Sequence, residues 1–246
     1  MYKDWPKLNN PPVILAAMEI RYVLPQDFKI SILKKDEEFI NENLPVRLDN
    51  FTGNISMPNP TEGLSTAQVT NKQTGYVYLN KEKNKRLLIS NENISYVIEG
   101  KYYGWEGFKK ECIGYIDHFK QILDDIVIQR ISIRFINRLI FNELNAIEDY
   151  FNVAISASEG TIEYPIDTYF IKYGIHIPES KIRANVVQSL EERSTDSYLF
   201  IFDIDVLHDI QENFHTIDFE EKFEELRKLK NDIFFKNLTT KTLKTL

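Results

Sequence analysis

The stretch 126–141, IVIQRISIRFINRLIF, constrains the fold more than any other part of this chain. Apolar and polar side chains alternate along most of it, with Ile131, Ile133 and Phe135 on one side and three arginines on the other. Alternation over so many residues, rich in β-branched and aromatic side chains, predicts a β-strand. At about 3.3 Å per residue, that strand is long enough to cross a whole domain.

Shorter apolar or alternating runs predict further strands. They lie at Val13–Val23, 67–79, Lys85–Ser90, 94–99, 168–177, 182–192 and 197–207. The segments between several of them are rich in Asn, Lys, Glu and Ser, a turn composition that indicates antiparallel meanders. The stretch 51–65, which contains both Gly and Pro, predicts a loop.

Apolar residues at three- and four-residue steps predict two long amphipathic helices. One follows Gly104, and the other spans 218–234, where Asp218 followed by Glu221 predicts a capping box. Shorter helical segments are predicted at 30–43 and 142–151.

We therefore expect residues 1–246 to form a single α+β domain, in which a largely antiparallel sheet carries long amphipathic helices packed on one face. A meander of strands followed by a long helix occurs twice, at 67–123 and at 168–235. Because the two copies agree only in the order of their elements, an internal duplication, with halves 1–142 and 143–246, is an alternative that the sequence leaves open.

Composition excludes several classes of protein. The formal net charge of −7 argues against indiscriminate nucleic-acid binding, which usually needs a basic face. Cys112 is the only cysteine, so neither a disulfide framework nor a thiolate metal site can form within one chain. We recognise no signal peptide, membrane span or glycine-rich phosphate loop, and expect a cytoplasmic protein without a cofactor.

Arg130, Arg134 and Arg138 project from one face of the predicted central strand. Forked guanidinium groups in a row can bind a phosphate, a carboxylate or a nucleic-acid backbone. Because unpaired charge is rarely buried, the favoured interpretation is instead an internal ion-pair network or a solvated sheet face.

Carboxylates for such a network occur near both ends of the chain. Asp203 and Asp205 share one face of a predicted strand, and Glu19 and Arg21 share one face of the first strand. We expect these groups to meet the arginines in one cross-sheet network. The alternative is a Mg²⁺ site, since two carboxylates about 7 Å apart on a strand can hold a hard cation. No further ligand stands at a suitable spacing, so no metal is expected.

Tyr103 and Trp105 lie at the start of the predicted helix that follows the first meander. If they are exposed, they would face a partner as an aromatic platform. If they are packed inward, they anchor the helix, and this interpretation is favoured because such residues are usually largely buried.

Four segments resemble a sporadically distributed family of bacterial proteins of about this length. They are Asn-Pro11-Pro12-Val13 with Glu19-Ile20-Arg21-Tyr22, Arg130-Ile-Ser-Ile-Arg134-Phe-Ile-Asn137-Arg138, Phe202-Asp203-Ile204-Asp205-Val206 and Phe235-Lys-Asn-Leu-Thr-Thr. Ser132 and Phe135 depart from the family's central pattern, which has Gly and Tyr at those positions. The resemblance implies a bacterial cytoplasmic protein and, through the family's patchy occurrence, an association with defence systems. It implies no reaction.

The expected function is that of a non-enzymatic interaction or regulatory module, which binds a partner protein, a second copy of itself or an anionic ligand through the charged side of the sheet. The reason is a strong charged constellation without a recognisable nucleophile, metal set or nucleotide loop. Two alternatives stay open. One is a Mg²⁺-dependent enzyme acting on phosphodiesters, with Asp203 and Asp205 holding the metal, and the other is a nucleic-acid binder that uses the arginines.

Overall fold

The strand predicted at 126–141 is an interior strand, next to the middle one, of a nine-stranded antiparallel sheet. The computed structural model describes residues 5–34, 37–56, 68–123, 126–144, 146–155, 167–193 and 197–246. The strands in these residues are β1 (Val13–Val23), β2 (Val46–Ser56), β3 (Gln68–Leu79), β4 (Lys85–Ser90), β5 (Asn93–Glu99), β6 (Val127–Phe141), β7 (Phe170–Ile177), β8 (Ile182–Arg193) and β9 (Tyr198–Asn213). In space they follow the order β2-β3-β4-β5-β1-β6-β9-β8-β7.

Helices form a minor part of the described chain. They are α1 (Glu38–Asn41), α2 (Trp105–Lys120), α3 (Phe219–Asn237) and α4 (Thr240–Leu243), with 3-10 turns at Ile30–Lys34 and Ile147–Asp149. The predicted cap of α3 is present, since the Asp218 carboxylate accepts a hydrogen bond of 3.0 Å from the Glu221 backbone N–H. No helix in the described ranges has the length and apolar character needed to cross a membrane.

The predicted α+β class, with long helices packed on one face of the sheet, is wrong. The described chain is mostly the nine-stranded sheet, and its four α-helices are short by comparison. Two predicted helical segments account for much of the error. In their described residues, 30–43 contains a 3-10 turn and the four-residue α1, and 142–151 contains a three-residue 3-10 turn. The antiparallel arrangement of the sheet is confirmed.

The sheet is also larger than the sequence predicts. β2 occupies 46–56, although 51–65 is predicted as a loop, and residues 57–65 lie outside the described part of the chain. β9 continues to Asn213, beyond its predicted end at 207. These residues form strands because they pair with neighbouring strands, although their local sequence does not favour a strand. The preference of a residue for strands depends on its context more than its preference for helices does.

The chain follows a similar path twice, with four meander strands in the first path and three in the second. In residues 13–120, β1 is followed by the meander β2–β5, whose last strand pairs with β1, and α2 comes next. In residues 127–237, β6 is followed by β7–β9, whose last strand pairs with β6, and α3 comes next. β1 and β6 pair with each other at the centre. The boundary between the two similar paths falls between α2 and β6, and an internal duplication stays a prediction.

The two faces of the sheet differ. On one face, Phe135 of β6 contacts Phe108 of α2, with ring centroids 6.4 Å apart, and Phe202 of β9 stacks on Phe234 of α3 at 5.9 Å. All four rings are buried, so this face holds the core. The alternate side chains of the same strands lie on the other face, called here the open face, where most are half-buried or exposed.

Candidate functional site

The open face brings together charged residues that are far apart in the sequence, because β1, β6 and β9 are neighbours in the sheet. Alternation along β6 places Arg130, Arg134 and Arg138 on this face. Asp203 and Asp205 of β9 lie on the same face, since they pair with Ile136 and Arg134 across the ladder.

Arg134 and Asp203 form a forked ion pair. The Nε atom of Arg134 lies 3.0 Å from Oδ1 of Asp203, and its Nη2 atom lies 2.6 Å from Oδ2. These hydrogen bonds raise the pKa of Arg134 above its ordinary value, so its charge is permanent. The Asp203 side chain is 13% exposed, whereas that of Arg134 is 52% exposed. Two parallel charge-assisted bonds fix the orientation of both groups.

The negative charge of Asp205 has weaker partners than that of Asp203. It lies directly across the ladder from Arg134 but makes no ion pair within the described part of the chain. Its carboxylate accepts a long hydrogen bond of 3.5 Å from the Asn185 amide. Burial raises the pKa of Asp205 above its ordinary value, against the opposing effects of Asn185 and Arg134, and the carboxylates of Asp203 and Glu19 add to the rise.

Glu19 belongs to a separate pair on β1. The Nε atom of Arg21 lies 2.6 Å from Oε1 of Glu19, and the Asn93 amide donates to Oε2 at 2.8 Å. Glu19 faces Ser132 across the β1–β6 ladder, and it forms no ion pair with Arg134 in the described structure. The structure therefore brings Arg134 to Asp203 and not to Glu19, so the expected single network is divided into smaller groups.

A third group lies at the end of the open face nearest the end of β1. Asp209 accepts a hydrogen bond from Nε of Arg130 at 2.8 Å, and its second oxygen lies 2.8 Å from Nη2 of Arg183 on β8. One carboxylate thus holds two guanidinium groups side by side. The Arg130 and Arg183 side chains both keep part of their surface exposed.

A cavity of about 540 Å³ opens beside this group. It is lined by Arg21, Gln129, Arg130, Lys181, Asp209, Ile210 and Gln211. The cavity forms where both ladders of β6 are irregular: the pairing with β1 skips Gln129, and the pairing with β9 also skips Ile210 and Gln211. Such β-bulges re-aim side chains and are frequent next to active sites. We call this cavity the bulge cavity.

Cations outnumber carboxylates in the lining of the bulge cavity. Arg21 and Arg130 are direct partners across the β1–β6 ladder, an arrangement that is destabilising for like charges. Lys181, the third cation of the lining, makes no ion pair among the described residues, and Asp209 is the single carboxylate of the lining. The φ angle of Lys181 is 56°, in the left-handed region that Gly usually occupies. Lys83, in the turn between β3 and β4, has the same conformation with φ of 57°, so the angle belongs to a hairpin turn.

Of the residues that the sequence singled out, Arg21 and Arg130 line the bulge cavity, and Arg138, Trp105 and Tyr103 lie outside both the cavity and the charged groups described above. Arg138 is exposed on the open face and makes no ion pair within the described ranges. Trp105 is buried, and its indole N–H donates to Glu224, so it presents little surface to a partner. Tyr103 is 43% exposed, and its hydroxyl donates to Glu111 at 2.6 Å.

Asp203 and Asp205 are not part of a larger set of metal ligands. Among the residues that the structure describes, no group of three or more His, Cys, Asp or Glu side chains is arranged to hold a metal ion. Both oxygens of Asp203 are bound to Arg134. The alternative of a Mg²⁺-dependent enzyme therefore gains no support from this part of the open face.

Sequence reasoning missed Lys181, Arg183 and Asp209. A signal for Asp209 exists, because it follows Asp203 and Asp205 in the same strand, but the predicted strand ends at 207. The bulge at 210–211 breaks the alternation that would have extended the strand. Lys181 lies in the turn before β8, where no periodic pattern indicates the direction of a side chain.

Comparisons with protein-family models, with curated proteins and with solved structures found no match. The resemblance to the bacterial family stays a prediction.

Proposed function

We propose that this protein is a non-enzymatic binding module that holds a multivalent oxyanion, such as a phosphate or pyrophosphate group, in the bulge cavity. One observation carries the proposal: Arg21 and Arg130 stand directly across from each other in a cavity that they share with Lys181. Glu19 and Asp209 each bind one of these arginines through its Nε atom and offset part of their mutual repulsion. An anion that accepts hydrogen bonds from both guanidinium groups would offset the rest.

The shape and chemistry of the lining agree with an oxyanion. A volume of about 540 Å³ lies within the range of about 300–1,000 Å³ that is typical of ligand pockets. Guanidinium groups match the planar pairs of oxygens that phosphates and carboxylates present. Gln129 and Gln211 add amide donors at the rim. The three cations of the lining have two carboxylate partners, Asp209 in the lining and Glu19 beside it, and the remaining positive charge favours an anionic ligand.

Asp209 has a positioning role in this proposal. It binds Arg130 through one oxygen and Arg183 through the other, so both guanidinium groups are oriented before any ligand arrives. Preorganised donors lower the entropic cost of binding. The net charge of the whole chain is negative, −7, and therefore repels large polyanions. This favours a small ligand over a nucleic-acid backbone.

The test is calorimetric titration of the protein with pyrophosphate at low ionic strength. Arg130→Gln should weaken binding about tenfold or more, because it removes a charge-assisted hydrogen bond of about 1.5–3 kcal/mol. Arg86→Gln is the matched control, since Arg86 is also an ion-paired arginine of the open face, bound to Glu99, but lies outside the cavity. Absence of binding by the wild-type protein, or equal weakening by both substitutions, would contradict the proposal.

A further inference from the structure

We infer that the apolar end of the open face docks on the same face of a second copy of this chain, in a twofold dimer in which Arg138 of each copy pairs with Asp205 of the other. The inference stands apart from the proposed function, because the bulge cavity lies at the opposite end of the face. The sequence predicts a second copy as one of several partners, and three structural observations favour it.

The first observation is an apolar patch on the open face, on the side of Asp203 away from the bulge cavity. The patch consists of Leu15, Ile136, Ile140, Leu199, Ile201 and Phe170. Ile140 and Phe170 are 58% and 61% exposed. The other four are half-buried, Arg138 lies among them, and Ser189 lies between Ile201 and Phe170. Scattered apolar residues are normal on protein surfaces, but a cluster interspersed with polar groups is typical of an interaction site.

The second observation is a pair of opposite charges that lack partners on this same face. Asp205 is half-buried, and its described contact is the long hydrogen bond from Asn185. Arg138 is exposed, and neither residue makes an ion pair within the described ranges. Arg134 and Asp203 of the same face are already paired with each other, whereas Lys172 of β7 is a further exposed cation of this face without an ion pair in the described ranges. A twofold interface is self-complementary, because residue i meets residue j and residue j meets residue i. One carboxylate and one guanidinium without partners satisfy this condition.

The third observation concerns the place on the open face through which the twofold axis of such a dimer would pass. Arg138 pairs with Ile201 across the β6–β9 ladder, and Asp205 lies four residues further along β9. Strand geometry separates the two side chains by about 14 Å, from about 3.3 Å per residue along the strand and about 4.8 Å between strands. A twofold axis that exchanges them passes midway, beside Ile136 and Asp203, which are direct ladder partners. Ile136 therefore contacts its own counterpart. Asp203 also lies near the axis, where its charge is neutralised by Arg134.

The area of the face is sufficient for a stable dimer. The six strands β5, β1, β6, β9, β8 and β7 span about 29 Å at about 4.8 Å each, and four rows of outward side chains span about 25 Å. The projected area is therefore about 700 Å², close to the roughly 800 Å² per partner of a standard interface.

The dimer is tested by analytical ultracentrifugation over a range of protein concentrations. The wild-type protein should show twice the chain mass of 29.0 kDa at the upper concentrations. Asp205→Arg and Arg138→Asp should each raise the dimer dissociation constant at least about tenfold, because each creates two like-charge contacts. The chain that carries both reversals regains both ion pairs, so its dissociation constant should return toward that of the wild type.

A second variant keeps the test independent of any folding defect at Asp205. Ile136→Cys should form a disulfide-linked dimer under mild oxidation, because the two copies of Ile136 meet at the axis. Val153→Cys, at another exposed apolar position, is the control and should stay monomeric on denaturing gels. The native Cys112 is buried and does not compete. A wild-type mass of one chain at all concentrations, or equal cross-linking at 136 and 153, overturns the inference.

Discussion

Arg134 lies directly across the β6–β9 ladder from Asp205, but its guanidinium group binds the diagonal neighbour Asp203. Two carboxylates in alternate positions of one strand therefore have different environments. Asp203 has a forked partner, and Asp205 has a long hydrogen bond from an amide. A buried charge without a partner is costly, whereas a forked pair offsets much of that cost. The stability of the fold should therefore respond in opposite directions to the loss of each carboxylate.

Asp203→Asn should lower the free energy of unfolding by about 1 kcal/mol, because it replaces a forked ion pair, one partner of which is half-exposed, with a weaker contact. Urea unfolding at pH 7 measures the change. Asp205→Asn is the matched control and, at a protein concentration at which the chain is monomeric, should leave stability unchanged or raise it. A larger loss for Asp205→Asn than for Asp203→Asn would contradict the description of the two sites.

The effect of Asp205→Asn should depend on pH. The pKa of Asp205 is raised in the folded protein, so the folded state holds this proton more tightly than the unfolded state does. The stability that Asp205 contributes is complete at low pH and is lost as the pH rises from its ordinary pKa of 3.8 through the higher folded value. The advantage of the Asn variant should therefore be absent below about pH 4 and present at pH 7. Urea unfolding at the two pH values compares them, and an advantage that grows toward acid would have the wrong sign.

Lys230 of α3 should be an unusually reactive amine near neutral pH. Its Nζ atom lies 4.3 Å from the centroid of the Phe135 ring, and burial, together with the charge of Arg227, lowers its pKa to about 7. Acetylation by a small anhydride, followed by mass spectrometry, should show a rate that levels off just above pH 7. The same lysine in the urea-unfolded chain is the control, with its ordinary pKa of 10.5. Identical pH profiles in the folded and unfolded chains would refute the lowered pKa.

Gly75→Ala should severely destabilise the protein. A Cβ atom at this position of β3 would lie 2.0 Å from the backbone oxygen of Ile89 and 2.6 Å from Cα of Ser90, and backbone atoms cannot move aside cheaply. We expect a loss of about 3 kcal/mol or more, or no folded protein. Gly174→Ala in β7 is the control, since its nearest neighbour would be the Ala184 oxygen at 3.9 Å. That variant should be unchanged or slightly more stable, because Ala restricts the unfolded chain. Thermal melting of both variants distinguishes the two outcomes.

Much of the sheet could be predicted because its central strands have strong alternating patterns. The boundaries of β1 are as predicted, and those of β6 differ by one residue, since Ile131, Ile133 and Phe135 alternate with polar residues over a long stretch. β2 escaped prediction because Gly53 and neighbouring asparagines favour turns locally, while pairing with β3 decides the structure. Helix content was overestimated where short apolar runs such as 30–43 lack enough turns to sustain a helix.

The candidate site was only partly predictable. The sequence places Arg130, Arg134 and the β9 carboxylates on matching faces, and the pairing of Arg134 with Asp203 agrees with that expectation. Arg134 binds Asp203, its diagonal neighbour, and not Asp205, which lies directly opposite. This preference depends on side-chain geometry, which the periodicity of the sequence does not predict. The bulge cavity depends on irregular pairing at Gln129 and 210–211, and it takes Lys181 from a turn. Such features arise from tertiary structure and have no local sequence signal.

The most direct test of the bulge cavity as an oxyanion site uses Lys181→Gln, since Lys181 lines the cavity without an ion pair in the described structure. In a buffer without multivalent anions, the variant should melt about 1–2 °C above the wild type, because about 0.5 kcal/mol of repulsion from Arg21 and Arg130 is removed. With saturating pyrophosphate at matched ionic strength it should melt below the wild type, because the anion has lost one partner.

The control is Lys110→Gln, which removes an exposed lysine of α2, away from the cavity, and should show the same small difference from the wild type in both buffers. The account predicts that the difference in melting temperature between wild type and Lys181→Gln changes sign when pyrophosphate is added. A difference of the same sign and size in both buffers would contradict it.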